Sequence, residues 1–592
     1  MSEQKEQFEF NHEPIRGYPE LRWTGKRPFT GTPYYPAQLK ESYGDDTDLL
    51  DGKTGGWRNK IYWGDNLQVM SHLLKDYRGK VNLIYIDPPF DSKADYKKKI
   101  ELCGKSTTTD SSTFEEKQYG DIWTNDEYLQ FMYERLILCR ELLADNGSIY
   151  LHCDWHRNSY LRALMDEVFG PSNMESEIIW QLQGVSGYKS LVNSFVRGHD
   201  TILFFRKGNN KTFNKEYLPY DEKQLKRFTG VDKDGRRYKP ITKDRVIYLD
   251  ESKGIPVSDV WSDIASFQTV VNSPEIMNYP TQKPEALLER IIKASSNPGD
   301  IVFDCFMGSG TTQAVAMKLG RRFLGADINL GAIQTTTKRL LKVSEELNGQ
   351  LETEHPFYTG FEVYNINDYD FFRNELEAKR LICEAMGMEQ LPDSTVYDAL
   401  LDGRKVCILG INRIATASEF AKLLNNVNIS EWQSRQKENP TKPVEEITFV
   451  CMGHDPNLKA QFEEEVSKMG FKVDVEIIDL LRDKKDLRFK RDSDAKIVIK
   501  NNKLIIENFF PMNLLQKLSI EKTDVSNWKE LAESVFIDWN YDGVTFSPEL
   551  TDIPEKNELV KGEYDIPKSA GTIHIKITDL ISERWEGNVE AE

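Results

Sequence analysis

The chain has 592 residues, of which 39% are hydrophobic and 29% charged, and its formal net charge is −18. That size holds about two to four domains with real cores, and no apolar run approaches the roughly eighteen residues of a membrane span. The start, M-S-E-Q-K-E-Q-F-E-F, has neither the basic nor the apolar region of a signal peptide, and an acidic surface repels nucleic acid unless the basic residues are gathered into a patch.

Seven cysteines lie at 103, 139, 153, 305, 383, 407 and 451 with no C-x-x-C pair. Neither a zinc site nor a disulfide framework is indicated, no metal is expected, and a reducing cytoplasm fits. Residues 1–55 are polar and rich in Pro, Gly and Tyr, and G-Y-P-E-L-R-W-T-G-K-R-P-F reads as an extended arm whose aromatics anchor it, wrapping the next domain in preference to touching a ligand. Ile61–Trp63 is a short strand delivering Gly64 and Asp65, and Asp65 can cap a helix starting near Asn66.

Val81–Phe90 reads V-N-L-I-Y-I-D-P-P-F. Val81 to Ile86 has the length and composition of a buried strand, and Pro88-Pro89 must stop it because proline cannot donate to the ladder. Asp87 then stands at the carboxyl edge of a sheet, where ligands of open α/β sheets bind. The Asp87 carboxylate and the Pro88 carbonyl can only accept hydrogen bonds, which suits a group with two N–H donors such as the exocyclic amine of a base, and Phe90 can stack on its ring. For these four residues by themselves, a strand followed by a capped Pro-Pro turn is an equal reading.

The polar stretch Lys105–Gln118 is long enough to be a functional flap. A helix follows from Asn125/Asp126 to Gly147, with Leu129, Met132, Leu136, Cys139 and Leu143 on one face, and then a strand over Ser148–Asp154. Thr201–Arg206 is a further strand that closes this half of the sheet. From Arg206 to Arg245 there are 13 Lys/Arg against 6 Asp/Glu, interleaved with Phe213, Tyr217, Tyr220, Phe228 and Tyr238. Lys223, Lys226, Arg227, Arg236, Arg237 and Lys239 suit phosphate contacts beside stacking aromatics, the alternative being a solvated charged insertion.

Glu285–Ser295 is an amphipathic helix, and N-P-G-D turns it into I-V-F-D-C-F-M-G-S-G at Ile301–Gly310. A strand ending at Asp304, a loop with Gly308 and Gly310, a helix from Thr311 and a strand ending at Asp327 form the β-loop-α-β-acid plan of a nucleoside site. No lysine follows the glycines, which argues against a nucleotide-hydrolysing loop. Beyond about residue 345 the chain still alternates: strands Lys405–Leu409, Ile447–Met452 and Val473–Ile478, helices near 416–426 and 456–468, a hairpin turning at Asn501-Asn502, and a late strand in G-T-I-H-I-K-I-T-D-L-I.

Together Asp87–Phe90, Phe306–Gly310, G-D-N at Gly64–Asn66 and T-Q-K-P at Thr281–Pro284 resemble the amino-methylating DNA methyltransferases. The catalytic motif precedes the cofactor motif, the permuted order of the β group, which includes modification subunits of type III restriction systems. The resemblance covers roughly 60–340. It implies a Rossmann-like α/β methyltransferase fold in permuted order that uses S-adenosylmethionine, with a catalytic half (56–206), a target-recognition insertion (207–270) and a cofactor half (271–345); the N-terminal arm (1–55) and the C-terminal α/β domain (346–592) are read from composition and alternation, the latter as a partner-docking domain by analogy with modification subunits.

The resemblance further implies that Asp87, Pro88, Pro89 and Phe90 are catalytic. Asp65, Thr281, Lys283, Asp304, Phe306, Gly308, Gly310, Thr311 and Asp327 would hold the cofactor, with Thr281 and Lys283 at its carboxylate. His152, Asp154 and His156 are read as structural, because transfer from a sulfonium needs no imidazole base. The expected partners are double-stranded DNA, a restriction or helicase subunit and a second copy of the chain. Aspartate at position 87 favours adenine-N6 over cytosine-N4, while Phe90 departs from the usual tyrosine. The other class of reading is a DNA-recognition and assembly subunit with weak activity of its own.

Overall fold

The computed structural model describes residues 20–44, 55–89, 98–102, 105–109, 125–182, 193–242, 245–267, 281–348 and 355–366, short stretches around these, and most of 379–592. Phe90 and residues 110–124 lie outside the described residues, and with them most of the expected flap; its described part, Lys105–Thr109, pairs antiparallel with Lys98–Leu102.

Ten strands build the central sheet: β1 (Gln38–Tyr43), β2 (Asn59–Trp63), β3 (Val81–Ile86), β4 (Leu143–Cys153), β5 (Met174–Gln181), β6 (His199–Arg206), β7 (Val260–Trp261), β8 (Ile301–Asp304), β9 (Arg322–Asp327) and β10 (Phe361–Asn365). They lie in the order β7-β5-β6-β4-β3-β8-β9-β2-β10-β1. The run from β4 to β10 is parallel throughout, whereas β6 is antiparallel to both β4 and β5. Strand β8, from the far half of the sequence, thus pairs with β3 from the near half, which is the physical meaning of the permuted order.

A parallel sheet must be covered on both faces, and each half of the chain covers one. Helices α1 (Asn66–Tyr77), α2 (Asn125–Leu142) and α3 (Asn158–Phe169) bury Leu73, Leu136 and Leu164 against Val81, Ile84 and Ile86 of β3. Helices α4 (Glu285–Ser295), α5 (Thr311–Lys318) and α6 (Leu330–Asn348) bury Leu288, Val315 and Leu340 on the other side, against Leu83 and Tyr85. The period-2 alternation of β3 between the two cores is what makes its sequence read as a continuous apolar run.

Three expectations change. The helix expected to run to Gly147 stops at Leu142, because Leu143 already pairs with Val81 and a register shift then carries the strand to Ser148 opposite Leu83. The strand at Thr201–Arg206 does not close the sheet, since β5 and β7 extend it further. The N-terminal arm is more than a wrap: it supplies β1, antiparallel to β10, while Trp23, Phe29 and Tyr35 pack on the α1–α2 core.

The C-terminal third contains two bodies. One is an α/β sheet in which Arg404–Ile408, Glu445–Cys451 and Val473–Asp479 run parallel, with helices Ile429–Glu438 and Leu458–Lys468 beside it. The helix expected near 416–426 falls mostly outside the described residues. The other is all β. Its hairpin pairs Asp494–Lys500 with Lys503–Phe510, and Asn501 and Asn502 adopt φ of 53° and 60° at the turn as anticipated. Strands Ala532–Asp538 and Thr572–Asp579 pair in its second sheet.

This β body closes the exposed edge of the central sheet. Phe546 exchanges two backbone hydrogen bonds with β1, to Lys40 and Ser42, each 2.9 Å. Glu41, 7% exposed, meets Lys576, 3% exposed, at 2.6 Å, and Tyr43 donates to the same carboxylate. Burial pushes the Glu41 carboxyl up, but Lys576 and Arg584 outweigh it and its pKa is lowered. Glu41→Ala leaves Lys576 buried without its partner, a loss of roughly 3–5 kcal/mol. Denaturant unfolding is expected to show that loss, and the double change Glu41→Met with Lys576→Met to recover most of it.

Candidate active site

Because β4, β3, β8, β9 and β2 are adjacent and parallel, the residues at or just beyond their carboxyl ends meet along one edge: Asp154, Asp87, Asp304, Asp327 and Asp65 in that order. Five acids converging on one crevice need partners, and each has a different set.

Asp304 is deeply buried. Its Oδ1 accepts the Phe306 N–H at 2.9 Å and its Oδ2 the Thr312 hydroxyl at 2.6 Å. Burial nevertheless pushes its pKa up to about 7, with Asp87 and Asp327 adding to the rise. Asp327 accepts the N–H groups of Gly308 and Asn329, both at 2.9 Å, and burial pushes it up to about 6. Between the two acids the loop bends through Gly308 and Gly310, with φ of 50° and 71°. A Cβ on Gly310 would come within 2.5 Å of the Thr336 methyl, so the left-handed turn that starts α5 admits glycine on two counts.

Thr311 is bound into the scaffold: its hydroxyl donates to the Lys283 carbonyl at 3.2 Å and accepts from Arg339 at 2.8 Å. Arg339 and Lys318 both grip Glu285, at 2.8 Å each, and so tie α4, α5 and α6 together beneath the loop. Asp65 caps α1 through the Leu67 N–H at 2.9 Å and is paired at 3.1 Å with Arg135, whose Nε also holds Asn66 at 2.6 Å. Arg135 escaped the sequence reading because it sits beside the apolar stripe of α2; a charged residue among Met132, Leu136 and Cys139 was the available signal. Its guanidinium lies over Phe131, whose ring is 6.1 Å from that of Phe306.

Asp87 differs from the rest. Oδ2 is paired with the Lys283 ammonium, while Oδ1 is buried with no hydrogen-bond partner among the described residues. Lys283 also reaches the Thr281 carbonyl at 3.3 Å. Lys283, expected with Thr281 at the carboxylate end of the cofactor, therefore stands at the Asp87 end of the crevice. Pro88 is buried behind Asp87 and Pro89 is half-buried.

Behind this, His152 is fully buried and takes the Tyr85 hydroxyl at 2.9 Å, with Asp200 3.5 Å from its other nitrogen. Burial pushes its pKa down to about 3, so it stays neutral. Among the described residues, no group of three or more His, Cys, Asp or Glu could hold a metal ion.

The basic insertion folds into small antiparallel pieces: Gly230–Val231, Arg237–Thr242 and Arg245–Tyr248 form one sheet, and Tyr217–Leu218 pairs with Ile255–Pro256. Its cations divide into two groups. Lys223, Lys226 and Arg227 point into solvent. Arg236 is engaged by Asp250 and Glu251, Arg237 donates to the carbonyls of Leu225 and Phe228, and Lys239 lies over the rings of Tyr220 and Phe228. The second group builds the module, and the first is available to a ligand.

Residues 81–338 match the family described as DNA methylase, whose members are N6- or N4-directed. The chain is 30% identical over 382 residues to type II methyltransferase M.EcaI of Enterobacter cloacae, covering 54% of this chain and 79% of that one. It is 28% identical to DNA adenine methyltransferase YhdJ of Escherichia coli, over 48% of this chain and 84% of that one. It is 27% identical to the StyLTI Mod subunit, a type III restriction-modification enzyme of Salmonella typhimurium, over 44% of this chain, and spans half the length of that subunit. The chain belongs to the DNA methylase family.

An acid whose folded pKa is raised contributes stability that is fully present below its unfolded value near 4 and is lost as pH rises. For Asp304 the loss runs through about 7. Asp304→Asn removes that titration, so the variant's unfolding midpoint is expected to vary less with pH between about 4 and 7 than the parent's. Equal slopes in a thermal-unfolding series would contradict the assignment.

Proposed function

We propose that this DNA methylase acts on the N6 amine of an adenine turned out of the duplex, with S-adenosylmethionine as the methyl source. The observation that carries the reading is the buried, unpartnered Oδ1 of Asp87 at the carboxyl edge of β3. A buried acceptor left unpaired costs about 1–3 kcal/mol, and an exocyclic amine brings the N–H donors that would remove the cost.

The crevice suits S-adenosylmethionine on chemical grounds. The groups acting on Asp304 besides burial are a hydroxyl, an amide N–H and two further acids, so a ligand carrying a sulfonium and an ammonium supplies the missing positive charge. Asp304, Phe306, Gly308, Gly310, Thr311 and Thr281 would hold its methionine end, Asp327 its ribose hydroxyls and Asp65 its adenine end. When bound, the cofactor supplies an electrophilic methyl group.

Lys283 fixes the rotamer of Asp87 through Oδ2 and leaves Oδ1 to accept one amine N–H; the Pro88 carbonyl accepts the other. Those two bonds turn the nitrogen lone pair out of conjugation and stabilise the positive charge that develops on it. Phe90 keeps its role of stacking on the extruded ring, which offsets part of the few kcal/mol that extrusion costs. Exposed Lys223, Lys226 and Arg227 supply phosphate contacts, which explains how a chain of net charge −18 can hold a duplex. The likeness to a Mod subunit supports a restriction partner docking outside the matched region.

The test is nucleoside mass spectrometry after incubating unmodified DNA with the protein and S-adenosylmethionine. N6-methyladenine is expected, with Asp87→Ala lowering the rate by about 10²–10³-fold while cofactor binding by calorimetry is retained. N4-methylcytosine would move the assignment to cytosine, and an undiminished Asp87→Ala variant would remove Asp87 from the mechanism.

A further inference from the structure

The chain has 11 tryptophans, and among the described residues Trp155 is the one left largely exposed, at 63%. It follows the carboxyl end of β4 directly. Ile86 pairs with Leu151, so Asp87 lies level with His152, and Trp155 stands two residues past the end of β4 on the same edge, in the turn that leads into α3.

The turn that presents it is pinned. The Asp154 carboxylate, 2% exposed, accepts the His156 backbone N–H at 3.0 Å and contacts His156 Nδ1 at 2.6 Å. The same carboxylate lies 3.5 Å from Arg197, which also pairs with Asp200 at the start of β6. The Trp155 ring leans on His156 with centroids 3.9 Å apart. Two residues before Arg197, Phe195 is fully exposed. A solitary exposed apolar side chain needs no function. Here two large aromatics stand exposed on segments tied to one buried carboxylate at the site's edge, with no described residue covering either.

We propose that Trp155 is a wedge that enters the duplex as the target base leaves it and stacks in the vacated gap. Asp154 and Arg197 are its positioning residues, and Phe195 extends the apolar face beside it. The occupant is the base stack of double-stranded DNA: an opened step exposes two base faces, and an indole restores stacking on both. This inference rests on the proposal that the base is extruded.

The test uses the full chain and a duplex carrying the site it methylates, mapped from its own product, with 2-aminopurine at the target position to report extrusion. Trp155→Ala is expected to lower both the fluorescence rise and the methylation rate on the natural-base duplex by roughly tenfold or more, with S-adenosylmethionine affinity unchanged. Trp155→Phe should recover most of the loss, which a merely structural role would not predict. On a duplex with the target base mispaired, where opening is already cheap, the Trp155→Ala deficit should shrink severalfold.

Parent-like behaviour of Trp155→Ala on the paired duplex, or an equal deficit on both duplexes, would overturn the wedge. Failure of the parent protein itself to form N6-methyladenine or to raise the fluorescence would instead overturn the reading beneath it.

Discussion

Parallel pairing of five adjacent strands forces five carboxylates to the same edge, and most of what surrounds the crevice answers the resulting electrostatic problem. Burying an ionised carboxylate is costly unless it is paired or hydrogen-bonded. Asp65 is answered by Arg135, Asp154 by His156 and Arg197, and Asp327 by two backbone N–H groups. Burial raises the pKa of Asp304 despite its two hydrogen bonds, as it does that of Asp327, and at Asp304 two neighbouring acids add to the rise. Asp87 has one oxygen answered and one left open. Asp304 with its acidic neighbours and the open oxygen of Asp87 are the places where a cationic cofactor and an amine donor fit best.

The glycine loop turns the same constraint into a binding surface. Gly308 gives its N–H to Asp327, and its carbonyl accepts from Thr336 on α6 at 3.0 Å, so the loop is held from both sides. Gly310 brings the start of α5 against Thr336, closer than any side chain would permit. The rigidity comes from behind, where Glu285 joins Arg339 and Lys318. A preorganised loop of this kind loses little entropy when a ligand settles on it.

Charge is partitioned along the chain in a way the net value conceals. The insertion uses Arg236, Arg237 and Lys239 in its own small sheets and leaves Lys223, Lys226 and Arg227 outside. At the opposite edge, the C-terminal β body covers β1 through a buried Glu41–Lys576 pair and main-chain bonds from Phe546. An open strand edge invites pairing with another chain, and this protein closes one of its own with residues more than five hundred positions away.

Much of this was legible in the residues themselves. The strand over Val81–Ile86, its stop at Pro88-Pro89, the helix over Glu285–Ser295, the glycine loop between Asp304 and Asp327, and the Asn501-Asn502 turn are local matters. Dihedral restriction, periodicity and turn chemistry act within a few residues, so the sequence by itself determined them. The family resemblance of its motifs was legible for the same reason. The end of α2 at Leu142, the extension of the sheet by β5 and β7, and the burial of β1 under the C-terminal body depend on which strand lies beside which. That information is carried by contacts between distant residues and not by any window of sequence. Tertiary structure alone decided that Lys283 meets Asp87, that Arg135 meets Asp65, and that Trp155 is left outside: the surroundings of each side chain are set by packing geometry after the backbone has folded.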